Sequence, residues 1–285
     1  MIKFIDLQGY DHNNLSEYST FDEFVGVMRS NKGKIKLLYD LETAPAPIEV
    51  IKSLYDEDSV TLPEFPGEFD PLKVRYGNTK DQVKRDAKLQ DEQQKHEFAL
   101  STWESDCQLA KVAAWNKFLE EATLHAETSR VCAIGYGLVL GNDIDLFLDI
   151  SEDESSLLKR WWFFVHAVKK NAGSLVSFNG NRFDLPILTK RSWVHDLDMI
   201  YLRTKYGKWD DISEDALERW KLGGGWNESV KLDTLAKILG EHRKLEGVTG
   251  DMFHVLLKED PEKARRYLAS DILALGGVAA KMRMF

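Results

Sequence analysis

Cysteine is scarce in this chain. Only Cys107 and Cys132 occur among 285 residues, with no partner spacing, which excludes a thiolate zinc site and a disulfide framework; both read as reduced core thiols. Long apolar runs are missing as well. No stretch approaches the roughly 20 apolar residues of a bilayer span, and Met1-Ile2-Lys3-Phe4-Ile5-Asp6 lacks the apolar region of a signal peptide. The expected compartment is the cytoplasm, with no membrane partner. The seven histidines show no metal-ligand spacing, and Gly223-Gly224-Gly225 lacks the Lys-Ser/Thr of a phosphate-binding loop, so it reads as a turn. Nor is there a basic excess: the net charge is −9. That argues against a protein gripping a duplex along its length. It argues less against one that holds only a strand end, where few phosphates are touched and cations neutralise an acidic site.

What is present is a core. A 43% hydrophobic share suits a globular chain, and the length suggests one large domain or two small ones. A β-type run over 34–41 ends at Glu42 and is stopped by Thr43-Ala44-Pro45-Ala46-Pro47. The pattern over 47–78 is irregular, with Pro47, Pro63, Pro66, Pro71, Gly67 and Gly77, and reads as loop. From Thr79 to about residue 125 Glu, Lys, Gln and Ala dominate. Phe98, Trp103, Cys107, Ala110, Ala114 and Phe118 recur there at mostly helical spacing, which predicts one or two amphipathic helices.

A strand over 130–138, a turn at Gly141-Asn142 and an alternating strand over 144–150 read as a hairpin. A Trp- and Phe-rich helix follows over 154–170, then a short buried strand over 174–178 and a helix over 184–193 with Pro186 in its first turn. The stretch 197–225 is turn-rich and ambiguous. A short helix over 232–239 is stopped by Gly240, and a last helix over 261–284 begins at Pro261. This order predicts an α/β sheet of mixed strand direction. Before Lys34, a strand over 2–7 and a helix over 21–29 capped by Thr20 read as an appended piece.

Four carboxylates stand at the edges of these elements. Asp40 and Glu42 are two apart on a strand and leave the same face, at the C-terminal edge where open α/β sheets put ligands. On pattern alone, two surface acids at a strand end account for them slightly better. Asp184 follows Asn179-Gly180-Asn181-Arg182-Phe183 and stands two residues before Pro186, a position that suits a helix cap as well as a metal ligand. Tyr267 and Asp271 lie one helical turn apart; alone they are a core aromatic and a surface acid. Together the four weigh differently. Two unit charges about 4 Å apart repel by roughly 4 kcal/mol at an effective dielectric near 20, so a cluster stays ionised only beside cations. Oxygen-only ligands favour Mg²⁺ or Mn²⁺ over zinc, and two such ions suit phosphodiester hydrolysis.

At these residues the chain resembles the DnaQ-like (DEDD) superfamily of 3′→5′ exonucleases. Asp40-Leu41-Glu42 is similar to its first motif, Asn179 to Asp184 to its second, and Tyr267-x-x-x-Asp271 to the tyrosine form of its third, with Arg266 where the histidine form carries histidine. Asp-Leu-Glu-Thr-Ala-Pro, the segment 130–137 and Leu232-Asp233-Thr234-Leu235-Ala236 resemble stand-alone bacterial and phage proteins related to the exonuclease domain of B-family DNA polymerases. The resemblance implies a ribonuclease-H-like mixed sheet flanked by helices, spanning 34–285 after an N-terminal extension of 1–33. It implies two Mg²⁺ or Mn²⁺ held by Asp40, Glu42, Asp184 and Asp271, with Asp40 bridging and Tyr267 orienting the attacking water. Leu41 and Thr43 would lie near the terminal nucleotide, and Asn179, Arg182 and Phe183 beside the strand. The implied activity is two-metal 3′→5′ hydrolysis of single-stranded DNA ends to nucleoside 5′-monophosphates, with a DNA polymerase or replication protein as a partner in trans. An exoribonuclease with the same site and an idle nucleic-acid-binding or interaction module are the alternatives.

The chain departs from compact exonuclease domains in a long helical insertion after the first core strand, at about 45–129. Its basic residues Lys80, Lys84, Arg85, Lys88 and Lys95 are interspersed with acids and read as a solvated helix face. Lys190-Arg191, Arg203, Lys205, Lys208, Arg243-Lys244 and Arg265-Arg266 fall nearer the motifs and are candidates for phosphate contacts. Trp209 and Trp226 are candidates for base stacking.

Overall fold

A computed structural model of the chain describes residues 16–31, 34–141, 143–200, 212–224, 228–241 and 250–285. The expected strand over 2–7, Arg203, Lys205, Lys208, Arg243, Lys244, Trp209, Trp226, Asn142 and Gly225 lie outside the described residues. The chain forms two compact units, one of Met1–Ala46 with Thr123–Phe285 and one of Pro47–Ala122.

The larger unit is built on one sheet. Its strands are β1 (Ser16–Tyr18), β2 (Lys36–Pro45), β3 (Ser129–Leu140), β4 (Asp143–Ile150), β5 (Ser174–Ser177) and β6 (Ser213–Asp215), in the order β1-β4-β3-β2-β5-β6. β3 is antiparallel to β2 and β4; the other pairs are parallel. Helices α1 (Phe21–Ser30), α4 (Glu154–Lys170) and α5 (Asp184–Val194) accompany the sheet on one side. On the other side are α7 (Leu232–Leu239), α8 (Phe253–Glu259) and α9 (Pro261–Lys281), and α6 (Ala216–Lys221) follows β6. This is the expected α/β class, a mixed sheet flanked by helices with a long helix inserted after the core strand.

Period-two alternation along β2 sorts its side chains between two cores. Leu37, Tyr39 and Leu41 join a cluster with Phe24, Tyr136, Trp161, Phe164 and Leu188. Leu38 and Ala44 join the opposite cluster with Leu235, Leu268 and Ile272. α9 can lie close to β3 because Gly135 and Gly137 have no side chain. A Cβ at Gly135 would stand 2.9 Å from an Ile272 carbon, and one at Gly137 2.7 Å from another. The Gly-x-Gly of β3 therefore sets the depth of the helix that carries Tyr267 and Asp271.

Several expectations change. β2 does not stop at Glu42. It runs to Pro45 through a bulge between Glu42 and Thr43, so Thr43 pairs with Val131 while Glu42 pairs with Ala133; the proline is tolerated because β2 pairs with β5 only over Lys36–Leu38, which leaves its far end an edge. The segment expected as an appended piece supplies β1 and α1, and Phe24, Val25 and Met28 of α1 are buried in the core. The Thr20 cap is present, accepting from the Glu23 amide at 3.3 Å. Within 197–225, β6 and α6 form among the described residues, and α8 appears where no pattern signalled a helix.

The unit Pro47–Ala122 is not all loop before residue 79: it opens with α2 (Ile48–Leu54) and holds two short 3-10 turns. α3 (Gln82–Glu120) is a single helix of 39 residues capped by Asp81. Trp103 donates to the Pro63 carbonyl at 3.0 Å, Tyr55 packs on Trp115 and Phe118, and Lys111 pairs with Glu57 at 2.8 Å. Cys107 is the buried position of α3; Phe98, expected on the apolar stripe, is 69% exposed.

Candidate metal and phosphodiester site

The bulged end of β2 brings Asp40 and Glu42 out on the face that α9 covers. One carboxylate oxygen from each of Asp40, Glu42 and Asp271 lies within 4.8 Å of the others. Glu42 and Asp271 are 4% and 1% exposed, so this is no pair of surface acids at a strand end. The residues converge because period two on a strand and a close-packed helix point their side chains into one volume.

Asp184 reaches the same volume from the opposite face of the sheet. It was a candidate cap of α5, but Phe183 holds the cap position and makes no side-chain bond there. Asp184 is the first residue of the helix, and its Oδ1 accepts from the Leu41 amide at 3.1 Å. Burial, then repulsion by Asp40, pushes its carboxyl well above the ordinary carboxylate range.

Tyr267 is 3% exposed and shares a side-chain hydrogen bond with Asp271. Burial first, then the charges of Asp271, Glu42 and Asp40, raise its hydroxyl far above a free tyrosine. In the field of these carboxylates the protonated, hydrogen-bond-donating form of the hydroxyl is favoured.

A cavity of about 260 Å³ opens at these groups. Asp40, Leu41, Glu42, Thr43, Asn179, Phe183, Asp184, Tyr267 and Asp271 line it, so the sequence-derived residues meet there with one exception. Arg182 is exposed and is not in the lining. The turn before α5 puts Asn179 and Phe183 in the lining instead. Arg191 and Arg265, candidates for phosphate contacts, are committed to Glu154 and Glu17.

Four further lining residues lay outside the sequence reading: Thr123, Leu124, Phe178 and Gly250. Thr123 is held by Thr43, whose hydroxyl donates to its carbonyl at 2.7 Å. A Cβ at Gly250 would sit 3.6 Å from Glu42 Oε2 and 3.8 Å from the Tyr267 hydroxyl. Thr123, Leu124 and Phe178 stand at the ends of elements read from the sequence and Gly250 in a short turn, and a position at an element's end does not show which side chain faces the cavity. Asp215 was also missed. Its carboxylate accepts from the Asn179 and Asn181 amides at 2.9 and 3.1 Å. An Asp of helix-cap type directly before Ala216–Lys221 was the available signal.

The donor set is all oxygen and all carboxylate, which fits hard divalent cations. Among the described residues this is the one group of clustered ligand-type side chains.

A family model described as a predicted 3′-5′ exonuclease related to the exonuclease domain of PolB matches residues 123–275. No curated protein sequence matches the chain. Among solved structures, the family B DNA polymerase from the hyperthermophilic archaeon Pyrobaculum calidifontis is similar at 15% identity and a TM-score of 0.48. The match covers 87% of this chain and 24% of that one, so the chain spans about a quarter of that polymerase.

Proposed function

The chain belongs to the family of predicted 3′-5′ exonucleases related to the exonuclease domain of PolB, and from that premise we propose that it removes nucleotides from the 3′ end of single-stranded DNA in the cytoplasm. The observation that carries the reading is the meeting of Asp40, Glu42 and Asp271 within 4.8 Å, in a cavity shared with Asp184 and Tyr267. Mutually repelling acids, with Glu42, Asp184 and Asp271 buried, are a standing cost to the fold that a structural role does not explain.

Asp40, Glu42 and Asp271 would hold one Mg²⁺ or Mn²⁺, with Asp40 and Asp184 facing a second. When bound, such a pair supplies the positive charge that acidifies the attacking water and offsets charge on the phosphodiester and the leaving 3′ oxygen. The chain's own residues do the positioning. The protonated Tyr267 hydroxyl is available to hold the water that attacks, anchored by Asp271. Leu41, Phe178 and Phe183 give the cavity apolar walls for a base, and Asn179 and Thr43 give it polar ones. At about 260 Å³ the space is below the roughly 300–1,000 Å³ of pockets that bury drug-sized ligands, which suits one terminal nucleotide and not a duplex. A polymerase or other replication protein acting in trans is the partner this activity would serve.

The test is a 5′-labelled single strand incubated with Mg²⁺ or Mn²⁺, with RNA of the same sequence alongside. Progressive shortening from the 3′ end is expected, with nucleoside 5′-monophosphates released. Asp40→Ala and Asp271→Asn should each abolish it while the far-UV spectrum stays unchanged. Wild-type turnover in either variant would refute the assignment, and binding without shortening would make the chain an idle module.

A further inference from the structure

We propose that Asp215 is a positioning residue for the carboxylate site: it fixes the turn Asn179–Asn181, and through that turn it sets where Asp184, Asn179 and Phe183 stand around the cavity. Its consequence for catalysis rests on the nuclease reading.

Asp215 ends β6, is 5% exposed and does not line the cavity. Part of its bonding is ordinary capping. Oδ1 accepts from the Leu217 and Glu218 amides at 2.9 and 3.4 Å, at the start of α6. The rest is not needed for a cap. Oδ1 also accepts from the Asn179 amide at 2.9 Å, and Oδ2 from the Asn181 amide at 3.1 Å, across from the exit of β5. Only an ionised carboxylate accepts from four amides on two oxygens; a Ser, Thr or Asn cap would leave at least one of them unmet.

The turn needs that grip. Asn179 has φ +63°, in the left-handed region that few residues with a Cβ adopt. Gly180 is confined: a Cβ there would stand 2.3 Å from the Ser177 hydroxyl oxygen and 2.9 Å from that of Tyr39. The Asn179 carbonyl accepts from the Arg182 and Phe183 amides at 3.1 Å each, and the Gly180 carbonyl from the Leu185 amide at 2.9 Å. The turn therefore runs without slack from Asp215 to Asp184. A second tie supports it from the side: the Ser213 hydroxyl donates to Asn181 Oδ1 at 2.7 Å, and Asn181 Nδ2 donates to Glu218 at 2.9 Å.

Asp215→Asn keeps the shape and replaces one acceptor oxygen with a donor. One of the two turn amides then faces an N–H group, and the turn loosens. Loss of a group that orients ligands typically costs about 10–100-fold in metal affinity or activity.

The experiment measures the Mn²⁺ midpoint for strand shortening and, in parallel, Mn²⁺ binding by electron paramagnetic resonance, in the full chain and in Asp215→Asn. The variant is expected to be folded by circular dichroism, with the Mn²⁺ midpoint raised about 10-fold or more. Saturating Mn²⁺ should recover part of kcat, and KM for the strand should change less than the midpoint. A folded Asp215→Asn with wild-type midpoint and binding overturns the inference, whatever its melting temperature. If that variant does not fold, Ser213→Ala decides: a smaller shift in the same direction supports positioning, and an unchanged midpoint overturns it. A wild-type chain that binds Mn²⁺ but shortens no strand refutes the nuclease reading alone, and the binding comparison still judges Asp215. No Mn²⁺ binding by the wild type overturns both.

Discussion

Asp40 stands where four carboxyl groups act on one another. Its carboxylate repels those of Glu42, Asp271 and Asp184, and Asp184 answers by holding its proton well above the usual range, through burial first and Asp40 second. Without a divalent cation, removing one charge should relax the site. Asp40→Asn is therefore expected to raise stability in EDTA by about 1 kcal/mol, seen as a melting temperature higher by about 2–4 °C, while it loses the response to added Mn²⁺. Thermal melts with and without Mn²⁺ check this; a variant less stable than wild type in EDTA would show that repulsion is not what the cluster stores. At this scale much was legible. Asp40, Glu42, Asp184, Tyr267 and Asp271 each sit at a spacing that fixes the face from which they project. Arg182 was not legible, because a turn can send adjacent side chains to opposite sides.

At the scale of elements, α5 matters because it begins with Asp184. Its far end is tied down by a buried clamp. Glu154, at the start of α4, accepts from Arg191 Nε and Nη2 at 2.9 and 2.7 Å and from the Val131 amide at 2.7 Å, and shares a hydrogen bond with His195 Nε2 at 2.7 Å. α4, α5 and the start of β3 are thus joined at one carboxylate. Burial alone would raise the Glu154 carboxyl, but Arg191, His195 and the Val131 amide outweigh it and hold it below its ordinary value. A carboxyl depressed in the folded chain contributes fully above its unfolded pKa of about 4.3, and the contribution fades as pH falls through the lower folded value. Glu154→Gln leaves the Arg191 guanidinium, 11% exposed, without its counter-charge, and should cost about 3–5 kcal/mol at pH 7. Urea melts from pH 7 down to about 3 should show the gap between wild type and variant closing in acid. A gap independent of pH would sink the clamp as an ionic device.

Elements whose ends carry a clear cap or glycine stop were readable in the same way. α4 and α7 have the bounds their apolar periodicity and capping residues predict. β6, α6 and α8 are three, six and seven residues long, too short to establish a period. The extension of β2 to Pro45 depends on a bulge in its pairing with β3, which is a property of two strands and not of one.

At the scale of the whole molecule, the excursion Pro47–Ala122 leaves and re-enters the larger unit at neighbouring points. The Thr43 hydroxyl donates to the Thr123 carbonyl at 2.7 Å, and the Ala46 amide to the Thr128 carbonyl at 2.8 Å. Closing so short a gap with a few Gly and Ser residues costs less chain entropy than the present loop, since that cost grows only slowly with length. Replacing residues 47–122 by such a linker should leave a cooperatively unfolding chain that still binds Mn²⁺, with unfolding free energy changed by no more than about 2–3 kcal/mol, since each halving of the loop is worth only about 0.6 kcal/mol. Loss of cooperative unfolding would mean that the excursion completes the core. No helix among the described residues is long and apolar enough to cross a membrane.

Local order in this protein follows from the chain alone: apolar period, caps, glycine stops and the spacing of acids on strand and helix are all short-range, and they decide which residues share a face. Which faces meet is decided only in three dimensions. The glycines of β3 let α9 approach, the bulge in β2 aims Glu42 and Thr43, and Asp215 reaches from a neighbouring strand to lock the turn before Asp184. Each of these joins residues far apart in sequence, and no local pattern carries information about a contact between distant segments.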